Sequence, residues 1–287
     1  MTQLMTGKEV AEKLIKEMAN DLSDLSKRNI IPHLGIVRVG EDPGSLAYEN
    51  SLKKRFSALD LEVSSYHFSK EMKEEAFLKE FDQINQDEEI HGVLVLRPLP
   101  DHLDTNKVSQ KINPVKDVDG MSPTNLGKIL LNDEDGLISA TPAGVMKILD
   151  FYAIDLEGKD VVIIGHSEVV GKPLSILMLN RNATVTVTHI YSKNIKEMAS
   201  QADILITATG VAGLVTKDYV KEGAVVIDVG ISRIDGEIKG DVKYDEVADK
   251  VSQITPVPGG VGAVTTMMLA SNLMKATKLL IKKEKNE

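Results

Sequence analysis

Short apolar runs alternate along the chain with stretches in which apolar residues recur at helical spacing. The apolar runs predict strands at residues 34–39, 61–68, 92–96, 161–164, 184–188, 204–207 and 225–229. The periodic stretches predict helices near residues 8–27, 45–58, 71–86, 142–153, 171–180, 194–201 and 243–249, and a last helix from residue 263 to about 282. A β-α-β alternation of this kind indicates parallel sheets with helices on both faces.

The alternation loosens over residues 98–142, where Pro, Asp and Asn are frequent, and we predict a domain boundary near the end of this region. The first predicted domain covers residues 1–141 and the second covers residues 142–263. The C-terminal segment 264–287 is expected to return to the first domain, which makes that domain discontinuous. Asp235 and Gly236 are expected to form a turn.

The composition narrows the classes of function. The chain has 287 residues, of which 42% are hydrophobic and 27% charged, as in ordinary globular proteins. A net charge of -9, without a basic and aromatic surface, argues against a nucleic-acid partner. The absence of cysteine excludes disulfides, thiolate metal sites and a cysteine nucleophile, and the six histidines lack metal-ligand spacing. With no signal-peptide core and no run long enough to cross a membrane, we expect a cytoplasmic protein without a metal ion.

The segment from Asp160 to Leu179 predicts a strand, a glycine turn and a helix. Gly165 ends the strand, Ser167 lies in the turn and Gly171 opens the helix, where free N–H groups would receive a pyrophosphate. The spacing G-x-S-x-x-x-G differs from the common G-x-G-x-x-G fingerprint, and a tight connection without a ligand is the alternative interpretation.

Two further strand ends support a nucleotide site, because ligands bind beyond the carboxyl ends of strands in open parallel sheets. One strand ends in Thr209-Gly210 and the next ends at Gly230. We therefore predict an α/β protein of two domains, with a doubly wound Rossmann-like nucleotide domain. The other domain would be a smaller α/β substrate domain completed by the C-terminal helix.

The segment from Ile254 to Gly262, ITPVPGGVG, has two prolines followed by three glycines within four residues. Proline fixes φ and glycine removes the Cβ barrier, so this backbone can lie against a flat ligand and then start a helix. A turn that only caps the helix is the simpler alternative.

Taken together, several motifs resemble the methylenetetrahydrofolate dehydrogenase/methenyltetrahydrofolate cyclohydrolase family over nearly the whole chain. They are VGEDPGSLAY (39–48), PVKDVDGMSPTNLG (114–127), TPAG (141–144), IIGHSEVVGKP (163–173), IKGDV (238–242) and ITPVPGGVG (254–262). The resemblance implies two α/β domains, a homodimer formed through the nucleotide domain, and 5,10-methylenetetrahydrofolate as the substrate.

The resemblance also implies a catalytic group, and this chain departs from it at two positions. In the family a Tyr and a Lys lie four residues apart on one helix, a Gln comes from a facing strand, and an Asp binds the pterin. Tyr48 and Asp119 match, whereas Leu52 occupies the lysine position and Leu96 the glutamine position. Lys53 lies about 100° further round the helix. Arg97 should point to the opposite face unless the strand has already ended.

Because both polar positions are replaced together, by Leu52 and Leu96, we expect a pocket that is rebuilt with apolar side chains rather than one that has lost its function. Leaving one buried polar partner alone costs about 1–3 kcal/mol, whereas replacing both with apolar groups can be nearly neutral. Hydride removal from a methylene bridge between two nitrogens needs mainly alignment, but hydrolysis of the methenyl group needs a proton to be managed. We expect dehydrogenase activity with weak or absent cyclohydrolase activity. The alternatives are a fully bifunctional NADP-dependent enzyme that uses Lys53 or Arg97, a non-catalytic folate or nucleotide-binding homologue, and a dehydrogenase of another small substrate.

The resemblance assigns residues to two binding sites. The substrate-binding set is Tyr48, Val95, Leu96, Arg97, Leu99, Asp119, Pro258, Gly259 and Gly260. The cofactor-binding set is Thr141, Gly165, His166, Ser167, Val170, Gly171, Ile190, Thr209, Gly210 and Ile231. Tyr48 would pack on the folate and Asp119 would accept pterin hydrogen bonds. A half-buried helix tyrosine and an Asx turn before Gly120 are the simpler interpretations.

The cofactor is predicted to be NAD, with NADP possible. NADP-using members of the family carry an Arg and a Ser that reach the 2′-phosphate, and these positions are His166 and Ile190 here. An imidazole is a poor substitute for a guanidinium fork, and isoleucine offers no hydrogen bond. Against NAD, the strand that precedes Ile190 does not end in an Asp or Glu for the ribose. His166 could also protonate and bind a phosphate.

Overall fold

The computed structural model describes residues 2–284, with side-chain environments to residue 282, so the last residues of the predicted C-terminal segment lie outside the described residues. The elements to residue 151 are β1 (Gln3–Leu4), α1 (Gly7–Ser26), β2 (His33–Val39), α2 (Pro43–Ser57), β3 (Glu62–Phe68), α3 (Glu74–Gln86), β4 (Gly92–Val95), α4 (Thr105–Lys111), α5 (Pro123–Leu130) and α6 (Ala140–Phe151). The later elements are β5 (Asp160–Ile164), α7 (Gly171–Leu179), β6 (Thr184–Thr188), α8 (Ile195–Ala199), β7 (Ile204–Thr207), β8 (Val225–Asp228), β9 (Ser232–Ile234), β10 (Glu237–Lys239), α9 (Tyr244–Val247), β11 (Gln253–Ile254) and α10 (Val261–Glu284).

The chain forms two compact units, each built from separate parts of the sequence. The first unit consists of residues 1–15 and 141–268, and the second consists of residues 16–140 and 269–287. The two longest helices, α1 and α10, each begin in the first unit and continue into the second. The predicted division into a folate-binding domain (residues 1–141 with 264–287) and a dinucleotide-binding domain (residues 142–263) stays a prediction.

The first unit contains a six-stranded sheet in the order β1-β11-β8-β7-β5-β6, in which every pairing is parallel. Its central strands β5, β7 and β8 are runs of Val, Ile and Leu that are almost entirely buried, as expected for strands covered on both faces. The edge strand β6, TVTVT, is partly exposed. An antiparallel hairpin, β9 and β10, projects beyond β8 with Asp235 and Gly236 at its turn, as predicted.

The second unit contains a three-stranded parallel sheet in the order β3-β2-β4. Its core includes the stacked rings of Phe77 and Phe81 on α3, which pack with Val37 of β2 and Val95 of β4. The predicted α/β fold class with parallel sheets is therefore confirmed. Within residues 2–284, no helix is both long enough and apolar enough to cross a membrane.

Candidate active site

Tyr48 lies on α2, and the sequence itself fixes where this helix begins. Asp42 precedes the helix, and its Oδ2 accepts a hydrogen bond from the backbone N–H of Ser45 at 2.7 Å. The ring of Tyr48 is 39% exposed. Burial raises the pKa of Tyr48 to about 12, and the charge of Asp119 adds to the effect while Arg55 opposes it. The structure therefore brings the predicted tyrosine and the predicted aspartate into one electrostatic environment.

Asp119 lies between α4 and α5 and is partly buried. Its Oδ1 is 3.5 Å from the hydroxyl of Ser139. Burial raises the pKa of Asp119 to about 6, and the charge of Asp117 acts in the same direction. Arg97, the backbone N–H of Ala140 and the Ser139 hydroxyl oppose this shift. The carboxyl group is thus poised to change its charge near neutral pH.

Asp117, which the sequence analysis did not single out, fixes the turn that carries Asp119. It is fully buried. Its Oδ1 accepts a hydrogen bond from the N–H of Met121 at 3.0 Å, and its Oδ2 accepts from the N–H of Ser122 at 2.7 Å and from Nδ2 of Asn125 at 2.9 Å. The motif Asp-Val-Asp-Gly contains both aspartates, but the sequence alone does not tell which of the two carboxylates accepts hydrogen bonds from neighbouring protein groups.

The two leucines at the family's polar positions are both buried. Leu52 on α2 is 0% exposed, and Leu96 directly after β4 is 5% exposed. The backbone N–H of Leu96 donates to the carbonyl of Val37 at 2.9 Å, which keeps this segment beside β2 although the strand itself has ended. Both positions are apolar and shielded from water, which is an environment that disfavours an unpaired ammonium group.

Lys53, a possible substitute for the missing lysine, is engaged in an ion pair. Its Nζ lies 2.8 Å from Oε1 of Glu49. The Glu49 carboxylate is almost fully buried and also accepts from Nε of Arg38 at 3.0 Å and from the Ser65 hydroxyl at 2.6 Å. The His67 Nε2 atom lies 3.0 Å from the same carboxylate. The ammonium of Lys53 is therefore held on the face of α2 that packs against β2 and β3.

Arg97, the other possible substitute, lies beyond the end of β4 at Val95, so the alternation rule does not fix its direction. Its Nη2 is 3.7 Å from the sulfur of Met121, and its charge acts on the Asp119 carboxyl group. The hydroxyl of Ser45 donates to the Arg97 carbonyl at 3.3 Å. The guanidinium group therefore belongs to the same neighbourhood as Asp119, which the simple strand pattern did not predict.

The remaining residues of the predicted substrate set fall into different environments. Val95 is 3% exposed and belongs to the core of the second unit, and Leu99 packs partly buried against that core. Pro258, Gly259 and Gly260 lie in the first unit, directly before α10. Gly259 has φ +106°, and its carbonyl accepts a hydrogen bond from the N–H of Gly7 at 2.8 Å. This glycine segment therefore packs closely against the first turn of α1.

The glycine turn after β5 has the geometry that a close approach requires. Gly165 has φ +122°, and a Cβ there would overlap the carbonyl of Ala208. A Cβ on Gly171 would overlap the carbonyl of Gly165, so the helix start packs directly on the strand end. The hydroxyl of Ser167 accepts a hydrogen bond from the N–H of Val170 at 3.2 Å. The turn is thus a tight backbone connection at the N-terminus of α7, and the predicted order of strand, glycine turn and helix is confirmed.

The ends of β5 and β6 carry two histidines whose rings contact each other. The ring centroids of His166 and His189 are 4.6 Å apart with an interplanar angle of 41°. Nδ1 of His189 accepts a hydrogen bond from the N–H of Tyr191 at 3.3 Å. Ile190 is 84% exposed and presents no polar group. Of these residues, His166 and Ile190 occupy the two positions that the resemblance assigns to cofactor recognition.

Three more residues of the predicted cofactor set follow the ends of β7 and β8. Thr209 and Gly210 follow β7, and Ile231, which is 60% exposed, follows β8. The hydroxyl of Ser232 donates to the carbonyl of Gly210 at 2.7 Å and joins the two loops. Thr141 lies in the first turn of α6. Across residues 2–284, no three His, Asp or Glu side chains are grouped in a way that could hold a metal ion.

A six-stranded parallel sheet with a glycine cradle after its central strand, joined to a second α/β unit, defines a two-domain protein with a nucleotide-cofactor domain. The tetrahydrofolate dehydrogenase/cyclohydrolase catalytic domain matches residues 5–119, and the NAD(P)-binding domain of the same family matches residues 139–281. The chain belongs to the tetrahydrofolate dehydrogenase/cyclohydrolase family.

Similar proteins agree with this assignment. The Bifunctional protein FolD of Fusobacterium nucleatum is 46% identical over 276 residues, which cover 96% of this chain and 98% of that protein. The crystal structure of the bifunctional enzyme FolD from Campylobacter jejuni has a TM-score of 0.95 at 41% identity and covers 97% and 99% of the two chains. The Trypanosoma brucei enzyme, solved with NADP and an inhibitor, has a TM-score of 0.92 at 31% identity, with 98% of each chain covered. The Rossmann-like form of the cofactor domain is thereby confirmed.

Proposed function

We propose that this protein is a 5,10-methylenetetrahydrofolate dehydrogenase whose cyclohydrolase activity is weak or absent. The proposal depends on one observation: Leu52 and Leu96 are buried at the two positions where the family carries a lysine and a glutamine. The name of the Fusobacterium relative supports a folate enzyme of the bifunctional type, and the two leucines support the loss of one of its activities. Residues 1–141 with 264–287 would bind the folate, and residues 142–263 the dinucleotide.

The dehydrogenase step needs alignment more than proton transfer. A nitrogen lone pair of the substrate expels the hydride from the methylene bridge, and the bound nicotinamide supplies the acceptor. The protein would bind the pterin through the Asp119 carboxylate and orient the folate with the ring and hydroxyl of Tyr48. The glycines at 259 and 260 would allow the backbone to approach the flat rings. Catalysis by positioning of this kind survives the loss of the lysine and glutamine.

The hydrolytic step needs a group that manages a proton beside the methenyl carbon. Leu52 and Leu96 offer none. Lys53 is held by Glu49 at 2.8 Å and would have to leave a buried carboxylate that it helps to neutralise. These contacts argue against Lys53 as the substitute and support the loss of the cyclohydrolase activity.

A second candidate is a fully bifunctional enzyme in which Arg97 replaces the lysine. One observation favours it: the Arg97 guanidinium acts on the Asp119 carboxyl group, and Asp119 in turn acts on Tyr48. An arginine stays protonated in proteins and therefore acts as an electrostatic group rather than as a base. It could stabilise a developing negative charge, but it would not accept the proton from the attacking water.

We favour NAD as the cofactor over NADP. At the two positions where NADP-using members of the family recognise the 2′-phosphate, His166 offers no guanidinium fork and the exposed Ile190 offers no hydroxyl. The trypanosomal relative was solved with NADP, and the proposed preference for NAD therefore depends only on residues of this chain. A higher kcat/KM with NADP than with NAD would reverse this assignment.

The test is a pair of assays on one preparation. Oxidation of methylenetetrahydrofolate is measured with NAD and with NADP, and hydrolysis of methenyltetrahydrofolate is measured against the uncatalysed rate. We expect hydride transfer, with NAD preferred, and hydrolysis close to the background. Hydrolysis at a rate comparable to hydride transfer would support the bifunctional alternative. Folate binding without hydride transfer would indicate a non-catalytic homologue, and an absence of competition by a folate analogue would indicate another substrate.

We also propose that the protein is a cytoplasmic homodimer that pairs through its nucleotide domain. The resemblance to the family supports the dimer, and the absence of cysteine is compatible with a reducing compartment. Light scattering of the purified protein at micromolar concentration measures the oligomeric state, and a monomer mass would contradict the dimer.

A further inference from the structure

Two buried carboxylates, Asp228 and Asp241, lie next to each other at the carboxyl ends of β7 and β8. Asp228 ends β8 and is 3% exposed, whereas Asp241 follows β10 and is 0% exposed. Within residues 2–284, neither carboxylate has a basic side chain as an ion-pair partner. The two basic residues nearest to Asp241 in sequence pair elsewhere: Lys239 Nζ lies 3.6 Å from Glu237, and Lys243 Nζ lies 3.4 Å from Glu246. Such a pair is unfavourable in a protein interior unless it is compensated.

Asp228 closes the base of the segment 230–242, which contains β9 and β10. Its Oδ1 accepts hydrogen bonds from the backbone N–H groups of Gly230 at 2.9 Å and Asp241 at 3.1 Å. Its Oδ2 accepts from the N–H of Val242 at 2.9 Å. Burial nevertheless raises the pKa of Asp228 to about 6, and the charge of Asp241 adds to this effect while the backbone donors oppose it.

Asp241 fixes the loop after β7. Its Oδ2 accepts hydrogen bonds from the hydroxyl of Thr207 at 2.8 Å and from the backbone N–H of Thr209 at 2.6 Å. Its Oδ1 is buried and has no hydrogen-bond partner among the described residues. A Cβ on Gly230 would overlap this carboxylate, so the chain approaches it as closely as glycine permits. Oδ2 thus accepts both hydrogen bonds of this carboxylate. The side-chain amide of an asparagine also has one acceptor oxygen and could make the same two bonds without the charge.

The loops that the pair holds belong to the proposed cofactor site, and the inference therefore rests on the proposed function. In the strand order β8-β7-β5-β6, the glycine cradle follows β5, and β7 and β8 lie on the side of β5 away from β6. In sheets of this type the pyrophosphate lies over the cradle and the adenosine over the next strand along the chain, so the nicotinamide lies on the other side. A bound dinucleotide would therefore have its nicotinamide half on the side of the carboxylate pair.

We propose that Asp228 and Asp241 are positioning residues for the nicotinamide half of the cofactor. Their hydrogen bonds hold the loops that contain Thr209, Gly210 and Ile231, and their negative charge favours the oxidised, cationic nicotinamide over the reduced, neutral one. The charge acts at short range through a protein interior, where screening is weak. This explains why a carboxylate is present at position 241 although its hydrogen bonds need only one acceptor oxygen.

The test separates the hydrogen bonds from the charge with three variants. Asp241→Asn keeps an acceptor oxygen for Thr207 and Thr209 but removes the charge, whereas Asp241→Ala removes both. Asp235→Asn is the matched control, because Asp235 is exposed at the turn between β9 and β10 and tolerates asparagine at φ +53°. NADH binding is measured by fluorescence titration, and NAD binding by competition with NADH.

We expect Asp241→Ala to weaken the binding of both NAD and NADH at least tenfold. We expect Asp241→Asn to leave NADH affinity within about twofold and to weaken NAD binding at least threefold more than NADH binding. The control should change neither. An unchanged NAD to NADH ratio in Asp241→Asn, or unchanged binding in Asp241→Ala, would overturn the proposal.

Two further measurements keep the test decisive. Where Asp241→Ala does not fold, Thr207→Val removes one hydrogen bond to the same oxygen and should weaken both cofactors by a smaller factor. Hydrogen exchange should rise in residues 207–212 in the alanine and valine variants and stay unchanged in Asp241→Asn. If the unmodified protein bound neither NADH nor NADPH, the proposed function itself would be wrong. Binding without the expected ratio change would contradict only this inference.

Discussion

The pKa of the Asp119 carboxyl group is set first by burial and then by two charged neighbours, Asp117 and Arg97, which act in opposite directions. Burial and the charge of Asp117 raise its pKa to about 6, while Arg97 acts in the opposite direction. An ionised carboxylate accepts hydrogen bonds from pterin N–H groups on both oxygens, whereas protonation turns one oxygen into a donor and removes the negative charge that strengthens these bonds. Folate binding should therefore weaken as the pH falls below about 6. Arg97, which opposes the effect of burial, is thus expected to extend folate binding to lower pH.

Replacing Arg97 with leucine should raise the pKa of Asp119 further, because the favourable positive charge is lost. The measurement is the KM for methylenetetrahydrofolate between pH 5 and 8 in the unmodified protein and in Arg97→Leu. We expect the acidic rise in KM to move to higher pH in the variant. Arg55, whose charge acts on Tyr48, provides the control Arg55→Leu, in which the acidic rise in KM should stay at the same pH. If the rise in KM stays at the same pH or moves to lower pH in Arg97→Leu, the role of Arg97 is contradicted.

The two leucines give a prediction of regained activity. In the double variant Leu52→Lys/Leu96→Gln the polar pair is restored together, so that neither group is left without its partner. We expect the rate of methenyltetrahydrofolate hydrolysis, divided by the dehydrogenase rate of the same preparation, to rise at least tenfold over the unmodified protein. Leu52→Lys alone should mainly destabilise the fold, because position 52 is 0% exposed.

The variant Lys53→Met tests whether Lys53, rather than position 52, supplies any hydrolytic activity. Since Glu49 already holds the Lys53 ammonium, its removal should leave both activities unchanged. Because Lys53 is partly exposed, the change in the free energy of unfolding should stay below about 1 kcal/mol. Residual hydrolysis that disappears in Lys53→Met would show that this lysine, and not an apolar pocket, determines the cyclohydrolase activity.

At the scale of elements, α2 is attached to the sheet of the second unit through one buried carboxylate. Glu49 accepts hydrogen bonds from donors on α2 and on both neighbouring strands. Burial alone would raise the pKa of Glu49, but the bonds from Lys53, Ser65, His67 and Arg38 together hold it well below its ordinary value. Because the same helix carries Tyr48 and Leu52, this ion cluster also determines where the site residues lie.

Glu49→Gln should destabilise the protein by about 3 kcal/mol at pH 7, because the buried Arg38 guanidinium loses its buried counter-charge and keeps only the exposed Glu41. A carboxyl group whose pKa is lowered by folding stabilises the protein above its unfolded pKa. That contribution is lost as the pH falls through and below about 4.5. The unfolding free energy of the variant should accordingly depend less on pH between 5 and 3. The exposed Glu41, which also pairs with Arg38, provides the control Glu41→Gln, with a loss below about 1 kcal/mol.

Much of the element pattern was predictable because long apolar runs and periodic stretches reflect burial in a parallel sheet. The seven predicted strands and eight predicted helices are present with ends shifted by a few residues. The helices α4 and α5 were missed, since each has eight residues or fewer and follows an Asp or Ser-Pro signal within a region rich in turn residues. The strands β1 and β11 are two residues long and carry no periodicity.

The candidate site was predictable to a smaller extent. Tyr48 and Leu52 were placed on one helix, and the glycine cradle after β5 was placed at a strand end, because motif spacing determines both. The pair Asp228 and Asp241 was not found, since its members are 13 residues apart across a hairpin that the sequence indicated only as a turn. Contacts of this kind depend on loop paths, which have no periodic signal.

At the scale of the whole molecule, the beginning of the chain completes a sheet that is otherwise built from residues more than 150 positions later. The strand β1 pairs in parallel with β11 at one edge of the six-stranded sheet. The hydroxyl of Thr2 donates to the carbonyl of Val251, 249 residues away, at 2.8 Å. The N–H of Met5 donates to the carbonyl of Ile254 at 2.8 Å, and its side chain is 0% exposed. The first unit thus depends on the first residues of the chain for the edge of its sheet.

Met5→Ala should therefore destabilise the first unit rather than the second unit, which begins at residue 16. A buried methionine replaced by alanine costs about 2–5 kcal/mol. Hydrogen exchange should rise at residues 225–228 and 253–254 and stay unchanged in β4 of the second unit, and NADH affinity should fall with it. Leu4→Ala is the matched control, because Leu4 is 43% exposed and its loss should change stability by less than about 0.5 kcal/mol. Increased exchange confined to β2, β3 and β4 would contradict the dependence of the cofactor unit on the chain's first strand, since those strands lie in the other unit.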